Sequence, residues 1–208
     1  MRETEQRKRV ERAFREVHAA VLKPRGYALK KMTSARPGPV LTSVRVEPTP
    51  GGHEANYPVE VVYLAGVPVG NEPTGLVWGV AGALADASGN PRFLVPQFGD
   101  DELVAELASR IERDVVPFLD QLATPDDLLA FFGGPWAEAE ARYLQPQSPV
   151  KREMYRIFLA EAAGKAAVAE AARAALVDAA EATGMADEAA YYLRQAEERV
   201  ARWRETAR

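Results

Sequence analysis

The sequence predicts an α+β protein: an N-terminal helix, a small, mostly antiparallel sheet and two further helices, followed by an Ala-rich helical hairpin or three-helix tail. Three observations carry this. Apolar residues recur at helical spacing near the start, then alternate with period two through several short segments. From Asp100 onward helical spacing returns, and Gly164 and Gly184 cut the last stretch into helix lengths. Strands followed by a block of helices are the ordering of an α+β chain.

Residues 3 to 23 form the first predicted helix, with Val10, Phe14, Val17 and Val21 on one face and Pro24 and Gly26 ending it. Tyr27 to Thr33 reads as a short, half-buried strand. "RPGP" at 36–39 is a turn, and "VLTSVRVEP" sets Val40, Thr42, Val44 and Val46 against Leu41, Ser43, Arg45 and Glu47. After the loop "TPGGHEANYP", "VEVVYLAGV" supplies a third strand, and the breakers of "PVGNEPTG" a further loop. "LVWGVAGALAD" fits a buried strand or a packed helix, and strand is the reading adopted; "NPRFLVPQFG" adds a short strand or edge segment.

From Asp100 the stripe Leu103, Leu107, Ile111, Val115, Phe118, Leu122 predicts a helix with three acids in its first turn, kinked or tightened near Pro117. "TPDD" starts the next helix, with Thr124 as cap and Pro125 at the first position, and "GGP" stops it. A first domain of residues 1–135 and a helical region of residues 136–208 follow. In the latter, "WAEAEARYL" precedes the breaker "QPQSP", Ser148 caps, and helices are expected at about 149–163, 165–183 and 185–204.

Composition narrows the function. With no cysteine, disulfides, thiolate zinc sites and a cysteine nucleophile are excluded, and a reducing cytoplasm is the expected compartment. The charged start "MRETEQRKRVERAF" offers no secretory signal, and the longest apolar run is about half of a membrane-crossing length, so no membrane association is expected. Residues 1–47 carry a balance of +7, residues 48–135 of −10 and residues 136–208 of −1. A basic segment beside an acidic one either binds an external anion or pairs with its neighbour, and pairing is favoured. A net charge of −4 makes nucleic acid an unlikely partner. Abundant Ala and Arg beside few Lys suggest a high-GC, bacterial genome.

The order "F…V…V…RGYALKKM…R…V…V" followed by "DELVAELASRIERDVVPFLDQLATPDDL" resembles the domain of unknown function 4304, over about residues 1–132. The matching positions are Gly26, Tyr27, Lys30, Lys31, Arg36, Pro117 and Phe118, with "MTSAR" replacing a more aromatic approach to the Arg. The resemblance implies a fold and no activity. The stretch "AAEATGMADEAAYYLRQAEE" is similar to the hinge of a tetratricopeptide hairpin without its thirty-four-residue period.

No catalytic residue is assigned. His18 and His53 are the only histidines, and no Walker loop, nucleophile elbow, dinucleotide fingerprint or metal motif is present, so no cofactor and no metal are expected. Two binding readings lead, and an enzyme of unrecognised type ranks below them. In the leading one the chain is a non-enzymatic interaction or adaptor protein that meets a partner, or a second copy, through residues 150–204. The stripe Met185, Ala189, Tyr192, Ala196, Val200, Trp203 then either packs internally or docks, with Tyr192, Val200 and Trp203 as interface candidates. In the alternative, a small ligand or anion sits on the sheet face against Lys30, Arg36, Arg45, Tyr63 and Trp78. The plainer reading of Lys30 and its neighbours is solvated surface, and that of Trp78 is core. Trp136 suits a buried contact at the junction.

Overall fold

Val10, Phe14 and Val17 have no exposed surface along α1 (Glu3–Val17), as their spacing requires. The structure, a computed structural model, describes residues 3–48, 57–69, 78–84, 93–134 and 148–206. The helix expected over 3–23 changes character at its end. His18–Leu22 form a π-turn in which the Lys23 N–H donates to the His18 carbonyl, and Lys23–Arg25 close a single 3₁₀ turn. Pro24 explains this: it has no N–H for the Ala20 carbonyl and its ring crowds the preceding turn, so the backbone widens before it. The same device recurs where α2 (Asp100–Arg110) passes into the π-turn Ile111–Val115 before α3 (Val116–Asp120). There the Val116 N–H donates to the Ile111 carbonyl one residue before Pro117. The turn near Pro117 is thus widened, where sequence suggested a kink or a tightening.

Gly26 turns the chain at φ +82°, and the segment expected as one strand is a tight hairpin, β1 (Ala28–Lys30) and β2 (Thr33–Arg36). Its turn holds Lys31 at φ +57°, a left-handed conformation that suits Gly or Asn better than Lys. β2 pairs antiparallel with β3 (Leu41–Pro48), whose Thr42, Val44 and Val46 are buried as the alternation foretold. β4 (Pro58–Val67) buries Val59, Val61, Tyr63 and Ala65. The segment open to strand or helix is β5 (Trp78–Ala83), and β6 (Phe93–Leu94) pairs antiparallel with the start of β4. The sheet runs β1-β2-β3-β4-β5. At Gly79 a Cβ would stand 2.0 Å from the Ala65 carbonyl oxygen, so glycine is required by the close approach of β5 to β4.

Leu103, Leu107, Ile111, Val115, Phe118 and Leu122 are all buried, so the stripe is continuous through the π-turn. In α4 (Pro125–Gly133) the Thr124 hydroxyl accepts from the Asp127 N–H at 3.2 Å and the Asp127 carboxylate accepts from the Thr124 N–H at 2.8 Å, a capping box. The described part of the tail, residues 148–206, holds three α-helices, α5 (Pro149–Ala162), α6 (Ala166–Ala182) and α7 (Ala189–Thr206). Gly164 and Gly184, at φ +70° and +71°, end the first two. In each case the next residue's N–H reaches back to a carbonyl five residues earlier, Lys165 to Ala160 and Met185 to Ala180, the Schellman closure. Ala160, Ala169, Ala172, Ala180 and Ala196 are fully buried, so the helices meet through small side chains. Residues 136–147, including "WAEAEARYL" and Trp136, lie outside the described residues.

The chain divides into two compact units. One comprises Met1–Gly38, Thr42–Leu64 and Gly82–Gln121; the other comprises Pro39–Leu41, Ala65–Ala81 and Leu122–Arg208.

Candidate functional site

Basic side chains of the first segment close on acids of the middle one. Arg9 Nε lies 2.6 Å from Asp100, Arg12 bridges the same carboxylate, and a further Arg9 nitrogen donates to the Phe98 carbonyl. Arg25 reaches Glu112 at 2.9 Å and Arg36 reaches Asp120 at 2.8 Å. The two arginines hold the Asp100 carboxyl below the usual range, the Arg9 hydrogen bond most of all. The charge asymmetry of the sequence therefore resolves as internal pairing at these positions, where an anion-binding patch would leave the cations open.

The register of the sheet separates the residues considered for a ligand. Lys30 pairs with Thr33, and Thr33 with Arg45, which places Lys30 and Arg45 on one face. Arg36 pairs with Thr42 and shares the opposite face with Ser34 and Val44. Its guanidinium lies 5.0 Å from the Tyr27 ring centroid. Tyr63 is 5% exposed and packs its ring edge-on against Phe118, 5.6 Å between centroids, so it belongs to the core. Arg45 is exposed and engages Glu47 at 3.1 Å, and Lys30 is exposed. Trp78 opens β5, and its side chain lies outside the described residues. Among the described members, then, Arg36 faces away from Lys30 and Arg45, and Tyr63 is enclosed in the core, so the set does not share one open face.

The face of Arg36 also carries a polar group that sequence did not single out. His18 Nδ1 lies 2.7 Å from Ser34 Oγ, and the Thr42 hydroxyl donates to the Tyr27 hydroxyl oxygen at 3.0 Å. Ser34 and Thr42 are buried, and His18 is 8% exposed. Burial first, then the charge of Lys23, lowers the His18 pKa. Burial raises that of Tyr27, with Thr42 and Arg36 opposing. Thr42 had only its β-branched character as a signal, and Ser34 had none. Satisfied and enclosed, the pair His18–Ser34 links the π-turn after α1 to β2 and does not present a nucleophile to solvent. His53 lies outside the described residues, and among those described no group of three or more His, Asp or Glu could hold a metal.

In the tail the stripe considered for a partner is turned inward. Ala189, Ala196 and Val200 are buried, and Trp203, half-buried, sets its ring edge-on to Phe158 at 6.4 Å. Glu161 on α5 ties α6 and α7 together, reached by Arg173 at 3.1 Å and Arg204 at 2.7 Å. Tyr192 is half-buried, its hydroxyl pKa raised by burial and by the neighbouring Glu188. What the tail shows to solvent is a different set. Tyr191 is 49% and Val177 36% exposed, and the Arg194 guanidinium stands 5.9 Å from the Tyr191 ring centroid. Tyr191 sits one position, about 100° of helix, off the stripe of Tyr192, which is why a search for apolar periodicity passes over it.

No helix among the described residues is long and apolar enough to cross a membrane. Comparison with protein families, curated proteins and solved structures finds no match for this chain.

Proposed function

We propose that the chain is a non-enzymatic interaction protein, an adaptor that meets another polypeptide through the outward face of its helical tail. One observation carries this reading: the two large apolar side chains exposed among the described residues, Val177 and Tyr191, both lie in the tail, on successive helices. An exposed tyrosine stacked by an arginine has the composition found at the centres of protein interfaces. Trp203 serves this surface indirectly, by setting its ring against Phe158 of α5. The cysteine-free composition suits action in the cytoplasm.

The test is size-exclusion of the tagged chain in an extract of its own cells. The wild type should elute in a complex, and the double variant Tyr191→Ser, Val177→Ser should elute at single-chain size with unchanged thermal stability. Elution of the wild type at single-chain size, or of the variant with the complex, overturns the reading.

A further inference from the structure

Along α7, Tyr191, Arg194, Glu198, Ala201 and Glu205 follow one another at spacings of three, four, three and four, and all are exposed. They form a single outward stripe, the counterpart of the inward one through Ala189, Ala196 and Val200. The stripe is self-complementary when run against itself in the opposite direction. About a point midway between Arg194 and Glu198, each Arg194 faces the other copy's Glu198, and each Tyr191 faces the other copy's Ala201. The large side chain falls on a small one and the cation on an anion, and a two-fold axis makes each contact twice.

We propose that α7 is a self-association helix: two copies of the chain pair antiparallel through Tyr191, Arg194, Glu198 and Ala201. This rests on the interaction reading above and names its partner as a second copy. Arg194 is already held near the Tyr191 ring, 5.9 Å from its centroid. In this register each Arg194 lies level along the axis with the other copy's Glu198, so the two side chains have only the gap of a close helix pair to span. Among the described residues Glu198 accepts one long hydrogen bond, from the Gln195 amide nitrogen at 3.5 Å. One like-charge opposition arises in this register, Asp187 against Glu205, and it falls at the solvated ends. The contact is one helix face, so association is reversible and weak.

Sedimentation velocity of the full chain across a concentration series tests this, with Arg194→Glu, Glu198→Arg and the double exchange beside the wild type. The wild type should pass from one-chain to two-chain mass as concentration rises. Each single reversal sets like charges opposite one another twice over and should weaken the dimer at least about tenfold, while the double exchange should restore it to within about threefold. All four positions are exposed, so circular dichroism should show one common fold. A wild type that stays at one-chain mass, or a double exchange as weak as the singles, overturns the proposal. If the wild type is monomeric yet the Tyr191→Ser, Val177→Ser variant still dissolves the complex in the cell extract, the interaction reading stands and the second copy is the wrong partner. If both fail, so does the reading beneath.

Discussion

Val200 and Tyr191 lie nine residues apart on α7 and on opposite sides of it, so truncating each to Ala separates the inward role from the outward one. Val200 is 6% exposed, on the inward face of α7. Val200→Ala removes two buried carbons, about 1.6 kcal/mol at roughly 0.8 kcal/mol per buried carbon. The cavity left behind raises the cost to about 2 kcal/mol. For a chain of this length that corresponds to a fall in Tm of about 4–8 °C. Tyr191→Ala removes an exposed ring and its contact with Arg194, worth about 0.5 kcal/mol, and gains helix propensity of similar size. Its stability should stay within about 0.5 kcal/mol of the wild type. Urea unfolding of both variants, followed by far-ultraviolet circular dichroism, reads the difference directly. Equal losses in the two variants, or a silent Val200→Ala, would refute the assignment of the two faces.

Other substitutions probe positions outside α7. Lys31→Gly relieves a left-handed residue in the β1–β2 turn and should stabilise the fold by about 0.5–1 kcal/mol in thermal unfolding; a loss would show that the turn is not strained. Thr124→Ala removes one half of the α4 capping box and should cost about 1 kcal/mol in the same assay, with Asp127→Ala similar and the double variant less than additive. His18 has a folded pKa below its unfolded value of about 6.5, so the unfolded chain binds the proton first. Stability is then complete above about pH 6.5 and declines as pH falls from there towards the folded pKa. His18→Gln should flatten that part of a pH–stability curve, and an unchanged slope would remove His18 as its source.

Much of the fold was legible because burial imposes a period. The stripes of α1 and α2, the buried face of β3 and the Thr124 cap are local patterns, and each appears in the structure where its spacing put it. The helix boundaries in the described part of the tail followed from Gly164 and Gly184, since a glycine just past a helix end commonly serves as its left-handed cap. The π-turns were not legible, although Pro24 and Pro117 marked their places, because a proline can be accommodated by ending, kinking or widening a helix. The single strand read from Tyr27 became a hairpin because nothing in Lys30–Lys31–Met32 announces a turn; Lys is an unusual choice at positive φ.

Candidate sites were less legible, for a reason of register. Whether Arg36 lies beside Arg45 depends on which residues of β2 and β3 face each other, and a shift of one residue exchanges the faces. The pairing of Thr33 with Arg45 decides it, and no single-strand pattern contains that information. The charge asymmetry favours pairing for the basic segment, but only the structure shows that Asp100, Glu112 and Asp120 stand against Arg9, Arg12, Arg25 and Arg36. The tail stripe announced its amphipathicity but not its partner; the partner of Trp203 is Phe158 of the same chain.

The outward face of α7 as the place where this chain meets another polypeptide is best tested by a photo-crosslinking amino acid placed at Tyr191 and, separately, at Lys30 on the exposed β1–β2 hairpin, with irradiation of living cells. The account predicts a discrete adduct from position 191 and none from position 30. An adduct from the hairpin alone, with position 191 silent, would contradict it and move the binding surface to the sheet.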